Sequence, residues 1–266
     1  MSSEPARKDV MSNLYHGDCL KIMPTLDAGS VDLILSDPPY GTTNCHWDSI
    51  IPLEPMWEQL KRIIKPNGAI VMTASQPFTT TLIASNMKMF RQTLTWKKNK
   101  PMNFMNANKM FMKWTEDVCV FYSSLPTYNP QKIKGRLHKN GNKQSCGNIT
   151  QYSKGTQRIV TESEWYHPSS ILEFPVQHST KHPTEKPVAL MEYLIRTYTN
   201  EGETVLDFAA GSFTTVIACI NTNRNAIAIE KDAAYYQKGS KRVAEHKPPP
   251  PPEPILFDAK EQHEHS

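Results

Sequence analysis

Apolar and polar positions fall in blocks along this chain, and the spacing within the blocks switches between strand-like and helix-like periods. "VDLIL" (31–35) is the first clear apolar run, too short for a helix and continuous enough for a strand buried on both faces. "PLEPMWEQLKRIIK" (52–65) spaces Met56 or Trp57, Leu60 and Ile63/Ile64 at helical intervals and stops at "PNG", which reads as a turn into the strand "AIVMTA" (69–74). A second helix is expected over 78–87, then strands at "QTLTW" (92–96) and "DVCVFY" (117–122). The Asn-, Met- and Lys-rich stretch 97–113 between them reads as a long loop. From about 125 to 165 the periodicity fades into Gly, Asn, Lys, Ser and Tyr, as in an insertion rather than a core. Order returns with a helix over 186–199, whose apolar face carries Leu190, Tyr193/Leu194 and Tyr198. The strand "TVLDF" (204–208), a helix over 214–220, the strand "AIAIE" (226–230) and a last helix over 233–246 follow. The pattern predicts an α/β domain with a mostly parallel sheet, split into 11–124 and 166–246 by an insertion at 125–165. After it, 247–266 forms a proline-rich tail whose Ile255, Leu256 and Phe257 make a small apolar anchor for a partner's groove.

Composition narrows the class. A chain of 266 residues can bury one large core, and its longest apolar runs are far too short to cross a bilayer. "MSSEPARKDV" at the start carries two acids and Pro5 where a secretory signal needs an apolar stretch, so the cytoplasm is the expected compartment. Five cysteines, at 19, 45, 119, 146 and 219, are scattered without a CxxC pair, which argues against a disulfide framework and a zinc site; no metal is expected. The net charge of +4 hides a segregation: residues 88–158 hold 14 Lys or Arg against Glu116 and Asp117, a local +12 that leaves −8 for the remainder. Trp96, Phe104, Phe111, Trp114, Tyr122 and Tyr128 are interleaved with those cations, which suits a surface facing a polyanion.

The chemistry begins at "SDPPYG" (36–41), where a strand runs into a stiff turn. At the C-terminal edge of an open α/β sheet such a turn faces the ligand crevice. Pro38 and Pro39 fix their φ angles, so Asp37 and the Pro38 carbonyl become two aimed acceptors, with the flat face of Tyr40 beside them. Two acceptors and a ring match an amino group on a planar heteroaromatic base. Accepting hydrogen bonds from both N–H groups favours a pyramidal nitrogen and frees its lone pair for attack on an electrophilic methyl held in line. No cysteine is preceded by proline in the arrangement used for attack on a pyrimidine ring carbon.

"GDCL" (17–20), "SDPPYG", "HPTEKP" (182–187), "VLDFAAGSFTT" (205–215) and "AIAIEKD" (226–232) occur in this order, and with them the chain resembles the amino-group DNA methyltransferases. It is similar to the permuted subgroup whose catalytic turn precedes the cofactor motif, and to the short adenine-modification enzymes of phages and prophages. The resemblance implies a Rossmann-like sheet that binds S-adenosylmethionine, with 125–165 as an inserted target-recognition region, and activity on a flipped adenine in double-stranded DNA, as in restriction–modification. Asp37, Pro38, Pro39 and Tyr40 would hold the base. Asp18 would face the cofactor adenine; Asp207, Ala209, Gly211 and Ser212, with Asp37, would surround its methionine portion; Thr184 and Lys186 would stand at its carboxylate. Glu230 lies 230 − 211 = 19 residues after Gly211 and would accept the ribose diol. Lys97, Lys98, Lys100, Lys109, Lys132, Lys134, Arg136, Lys139 and Lys143 would contact phosphates. A homodimer is a further expectation, since related enzymes are sometimes dimers. Plainer roles stand beside some of these: Asp18 as a helix cap, Lys186 as surface, His182 as a loop fastener.

The family's cofactor turn reads F-x-G-S-G-T-T, whereas Ala209 and Phe213 stand here at the first aromatic and second glycine positions. A benzyl group at 213 would fill the pocket or demand a different loop path. The alternatives are therefore an adenine-N6 enzyme, an N4-cytosine enzyme with nearly the same amine geometry, an RNA-base enzyme, or a DNA-binding protein without methyl transfer. Aspartate rather than serine at 37 favours adenine, and Asp207 following Asp37 by 170 residues disfavours the RNA reading.

Overall fold

The computed structural model describes residues 10–41, 49–142, 159–176 and 185–249. Its centre is an eight-stranded sheet ordered β1-β10-β9-β2-β3-β5-β4-β8. These strands are β1 (Ser12–His16), β2 (Val31–Ser36), β3 (Ile64–Ala74), β4 (Phe90–Met102), β5 (Lys113–Phe121), β8 (Ile171–Glu173), β9 (Thr204–Asp207) and β10 (Asn225–Glu230). Only β5 runs against its neighbours; the other pairings are parallel. All of β2 is buried, as its unbroken apolar run requires of a central parallel strand.

Side-chain alternation sorts the core into two layers. Leu33, Leu35, Ala69 and Val71 face the layer that holds α4 (Val188–Tyr198), α5 (Thr214–Asn221) and α6 (Ala233–Glu245). Ile34, Ile70 and Met72 face the opposite layer, built by α1 (Cys19–Ile22), α2 (Leu53–Ile63) and α3 (Phe78–Ser85). Met56, Trp57, Leu60 and Ile63 are the buried stripe of α2, at the spacing read from the sequence. From the adjacent strands β2 and β9 the chain moves outward in opposite directions, to β3 on one side and to β10 on the other. That reversal of strand order opens a crevice at their carboxyl ends, where Asp37 and Asp207 stand.

Three expectations are corrected. "PNG" is not a turn: β3 starts at Ile64 and passes through it, with a register shift against β2 between Val31 and Leu33. Gly68 is required there, since a Cβ would lie 2.7 Å from the Asp32 carbonyl oxygen and 2.6 Å from Ile64 Cδ1. The stretch 97–113 is only partly loop: β4 runs on to Met102 and β5 starts at Lys113, so the connection is 103–112, with a short 3₁₀ turn at Phe104–Asn106. β1, ahead of the first apolar run, carries no strand period in its sequence; its apolar and polar residues pair with β10 at the sheet edge. The insertion contributes β6 (Ile133–Asn142) and β7 (Ile159–Tyr166), an antiparallel pair forming a sheet of its own. Among the described residues no helix is long and apolar enough to cross a membrane, and no cluster of metal-ligating side chains occurs.

Candidate active site

Asp37 follows β2 directly, and its carboxylate is held from three sides. Oδ1 accepts from the Tyr40 hydroxyl at 2.6 Å and from Thr73 on β3; Oδ2 accepts from Lys186 Nζ at 2.7 Å. An ionised carboxylate offers about four acceptor directions, so roughly one remains, on Oδ2. The Tyr40 ring stacks on Phe78 at 5.4 Å, and burial, then the Asp37 and Glu116 charges, push its phenol well above the ordinary value. Tyr40 thus fastens the turn through its hydroxyl and has one face covered by Phe78, an arrangement that stacking on a base alone did not suggest.

Lys186, just ahead of α4, is buried rather than a surface lysine. Burial alone would lower its pKa, but Asp37 and then Glu116 outweigh this and raise it. Its Nζ lies 3.2 Å from Glu116 Oε2, outside hydrogen-bond geometry, so that contact is Coulombic. Glu116 in turn pairs with Lys98 at 2.5 Å. Its carboxyl is pressed upward by burial, yet the two lysines, Lys186 first, hold it below the usual range. Asp37, Lys186, Glu116 and Lys98 form a line of alternating charges across β2, β5 and β4. Lys98 is corrected as a phosphate contact: it is only 5% exposed and committed to Glu116.

The other end of the crevice is built from β9, β10 and the turn between β9 and α5. Asp207 accepts from Ser36 at 2.7 Å, Thr215 at 2.6 Å and the Ala209 amide at 3.2 Å. Burial still pushes it up to about 6, against those hydrogen bonds. Glu230 accepts from the Gly211 amide and the Asp232 amide, both at 2.7 Å, and burial raises its pKa. Asp18 caps α1 through the Leu20 amide at 3.0 Å and pairs with Lys231 at 3.1 Å; for its carboxyl, Lys231 and the amide overcome burial and hold it low. The cap role and a place on the crevice wall coexist. Ser212 Oγ lies near Thr214 and Arg242, and Arg242 pairs with Glu185 at 2.5 Å.

Phe213 does not fill the cleft. Its φ of 61° and ψ of 33° place it in the left-handed region that suits glycine, and its ring turns away from the crevice into the core. There it meets Tyr236 edge-on at 5.9 Å and lies against Gly239 of α6, where an added Cβ would come within 2.9 Å of the ring. Gly211 keeps a φ of 52°, and a Cβ there would meet no atom within 4 Å.

Asp18, Asp37, Tyr40, Lys186, Gly211 and Glu230 all line a single cleft of about 1420 Å³, to which Pro38, Pro39, Asp207, Ala209 and Ser212 also contribute. That exceeds the roughly 300–1,000 Å³ of a one-ligand pocket and suits two ligands side by side. Of the cationic candidates, Lys97, Lys100, Lys109, Lys132, Lys134 and Arg136 are exposed; Lys97 and Lys134 make surface ion pairs with Glu173 and Glu164. Thr184, His182, Lys143, the Lys139 side chain and the Ile255–Phe257 segment lie outside the described residues. Sequence reasoning missed Thr73, Phe78, Glu116, Glu185 and Arg242. Only Glu116, an acid in the basic stretch, carried a signal that could have found it.

A crevice at the strand-order reversal of a mostly parallel sheet, with aimed acceptors at one end and an acid at the next strand's tip, defines a nucleoside-handling α/β enzyme. The family model described as DNA methylase matches residues 31–241, and the chain belongs to that family of amino-group methyltransferases. The type II methyltransferase M2.MboI of Moraxella bovis is 27% identical, with 89% of each chain covered. The DNA adenine methyltransferase YhdJ of Escherichia coli (strain K12) is 26% identical over 91% of this chain and 87% of its own. Among solved structures, the M1.HpyAVI–SAM complex superposes with a TM-score of 0.60 at 26% identity, covering 87% of this chain and all of its own. The cytosine-N4-specific PvuII DNA methyltransferase, at 17% identity and a TM-score of 0.62 over 87% and 86%, shares the fold.

Proposed function

We propose that this chain transfers a methyl group from S-adenosylmethionine to the N6 amino group of an adenine swung out of duplex DNA. The observation that carries the reading is that the Asp37–Tyr40 turn and the Gly211–Glu230 end open into one cleft large enough for cofactor and base together. The residues fit the cofactor: Glu230 is an acid at a strand tip for a ribose diol, and the bare Gly211 backbone permits close approach. Ser212 and Lys186 are polar groups for the amino-acid end. Bound there, S-adenosylmethionine supplies an electrophilic methyl.

The chain's own residues do the rest. Asp37 Oδ2 and the Pro38 carbonyl accept the two N–H groups of the base, which aims the nitrogen lone pair. Tyr40 and Thr73 hold the other carboxylate oxygen, so the acceptor cannot rotate away. Lys186 balances the Asp37 charge in a site where an unpaired carboxylate would be costly. The proton that the methylated amine sheds passes to Asp37 Oδ2 and on to solvent through the open cleft. Exposed lysines on β4 and in the insertion hold the phosphates, and β6–β7 with its flanking residues serves as the target-recognition region, in the cytoplasm where the DNA lies.

Adenine, rather than cytosine, is supported by Asp37 and by the names of relatives such as YhdJ. Mass spectrometry of nucleosides from expressing cells tests this. N6-methyladenine is expected from the wild type and none from Asp37→Ala. N4-methylcytosine would transfer the assignment to the other amine, and no new nucleoside would end it.

A further inference from the structure

The tip of the β4–β5 arm exposes an unusual amount of apolar surface at the mouth of the cleft. Phe111 is 100% exposed, Met105 86%, Phe104 73% and Met110 58%. Such a cluster calls for a partner. The backbone beneath it is built rather than loose: Asn103 sits in the left-handed region, and the Asn106, Ala107, Lys109 and Met110 amides close successive turns onto the Asn103, Phe104 and Asn106 carbonyls. The Asn103 and Asn106 side chains are bonded at 2.7 Å. Phe104, Met105 and Lys109 belong to the wall of the same cleft that Asp37 lines.

We infer that Phe111, supported by Phe104 and Met105, is a wedge that enters the DNA base stack beside the target and fills the space left when the adenine swings into the cleft. This rests on the proposed function and adds the residues that perform the extrusion. An apolar side chain placed between base steps offsets part of the unstacking cost, and basic neighbours hold the backbone while it does so. Charge selects DNA over a second copy of the chain as the occupant. Of the five lysines from Lys97 to Lys113, Lys98 is buried against Glu116 and Lys97 is paired with Glu173, but Lys100 and Lys109 are exposed at the tip with no acid between them, so two such tips would repel each other, whereas a polyanion is attracted.

The test uses the full chain and a duplex carrying the site mapped by methylation-sensitive sequencing of DNA from expressing cells. Two forms are compared, one fully paired and one lacking the base opposite the target, which is cheaper to open. Phe111→Ala is expected to lose tenfold or more in transfer rate on the paired duplex and less than threefold on the abasic one, while Phe111→Trp stays near wild type. With 2-aminopurine at the target position, the fluorescence rise on binding should fall in parallel for Phe111→Ala on the paired duplex. Equal loss on both duplexes, or no loss on either, overturns the wedge while leaving the enzyme reading intact. So does a wild-type dimer that Phe111→Ala splits in sedimentation, which would make the tip a self-association surface. A wild type that modifies no DNA would remove the proposed function, and the wedge with it.

Discussion

Replacing Phe213 by glycine separates two accounts of the altered cofactor turn. If the ring belongs to the core, its removal costs stability and leaves the cleft alone. Truncating a fully buried phenylalanine costs about 3–5 kcal/mol, and Phe213 is 0% exposed. Against this, a non-glycine residue in the left-handed region carries roughly 1–2 kcal/mol of strain, which glycine relieves. The net expectation is a loss of about 1–4 kcal/mol, or roughly 2–16 °C in melting temperature for a fold of this size. Gly239 supplies an internal control, because alanine there would come within 2.9 Å of the Phe213 ring. With Phe213 present the overpacking costs about 1–3 kcal/mol; without it, alanine in a helix gains up to about 1 kcal/mol over glycine. Gly239→Ala should therefore be neutral to destabilising in the wild type and stabilising in the Phe213→Gly background. Urea unfolding of the four proteins measures the coupling, and isothermal titration with S-adenosylmethionine measures affinity, expected to change less than about threefold because Phe213 does not line the cleft. Additive stabilities, or a Phe213→Gly protein that binds the cofactor tenfold tighter without losing stability, would refute this placement of the ring.

Other consequences are equally open to measurement. Lys186→Met takes the cation from the part-buried Asp37 and leaves Glu116 to Lys98 alone, so it should destabilise by about 1.5–3 kcal/mol, with Lys186→Arg partly restoring it; unfolding by urea at pH 7 decides. Asp207 has a folded pKa of about 6, above its usual 3.8, so its contribution to stability is full below pH 3.8 and lost as pH rises through 6. Relative to Asp207→Asn, the wild type should lose on the order of 3 kcal/mol between pH 4 and 7, and parallel pH profiles would contradict the shift. DNA affinity should fall steeply from about 50 to 200 mM salt, and Lys100→Ala with Lys109→Ala should flatten the log–log slope by about 2; salt-independent binding would remove the phosphate contacts.

Much of the fold could be read along the chain because period reports burial. The stripe Met56, Trp57, Leu60, Ile63 and the run 31–35 each have one packing solution, and both formed as expected. The end of the β4–β5 arm was illegible for the same reason: past Lys98 its residues are mostly exposed, so nothing forces apolar alternation on them, and β4 and β5 meet there at Met102 and Lys113. β1 escaped because it is short and at an edge, paired with β10 alone.

The site was legible where chemistry fixes residue type and illegible where it fixes only charge balance. Asp37, Pro38, Tyr40 and Glu230 stand at strand ends, so chain position alone places them on the crevice. Glu116 and Lys98 lie inside the arm strands, and nothing local distinguishes Lys98 from the exposed Lys97 beside it. The difference appears only across strands. β4 and β5 are antiparallel, so Lys98 falls on the face that carries Glu116, and α4 begins where Lys186 can reach both Glu116 and Asp37. Phe213 teaches the same point in reverse. A motif position reserved for glycine holds a phenylalanine because the constraint acting there is on backbone φ and on the space beside it, and the missing glycine reappears in space as Gly239. What the turn needs is a left-handed residue whose side chain has somewhere to go other than the cleft, and α6 supplies that room.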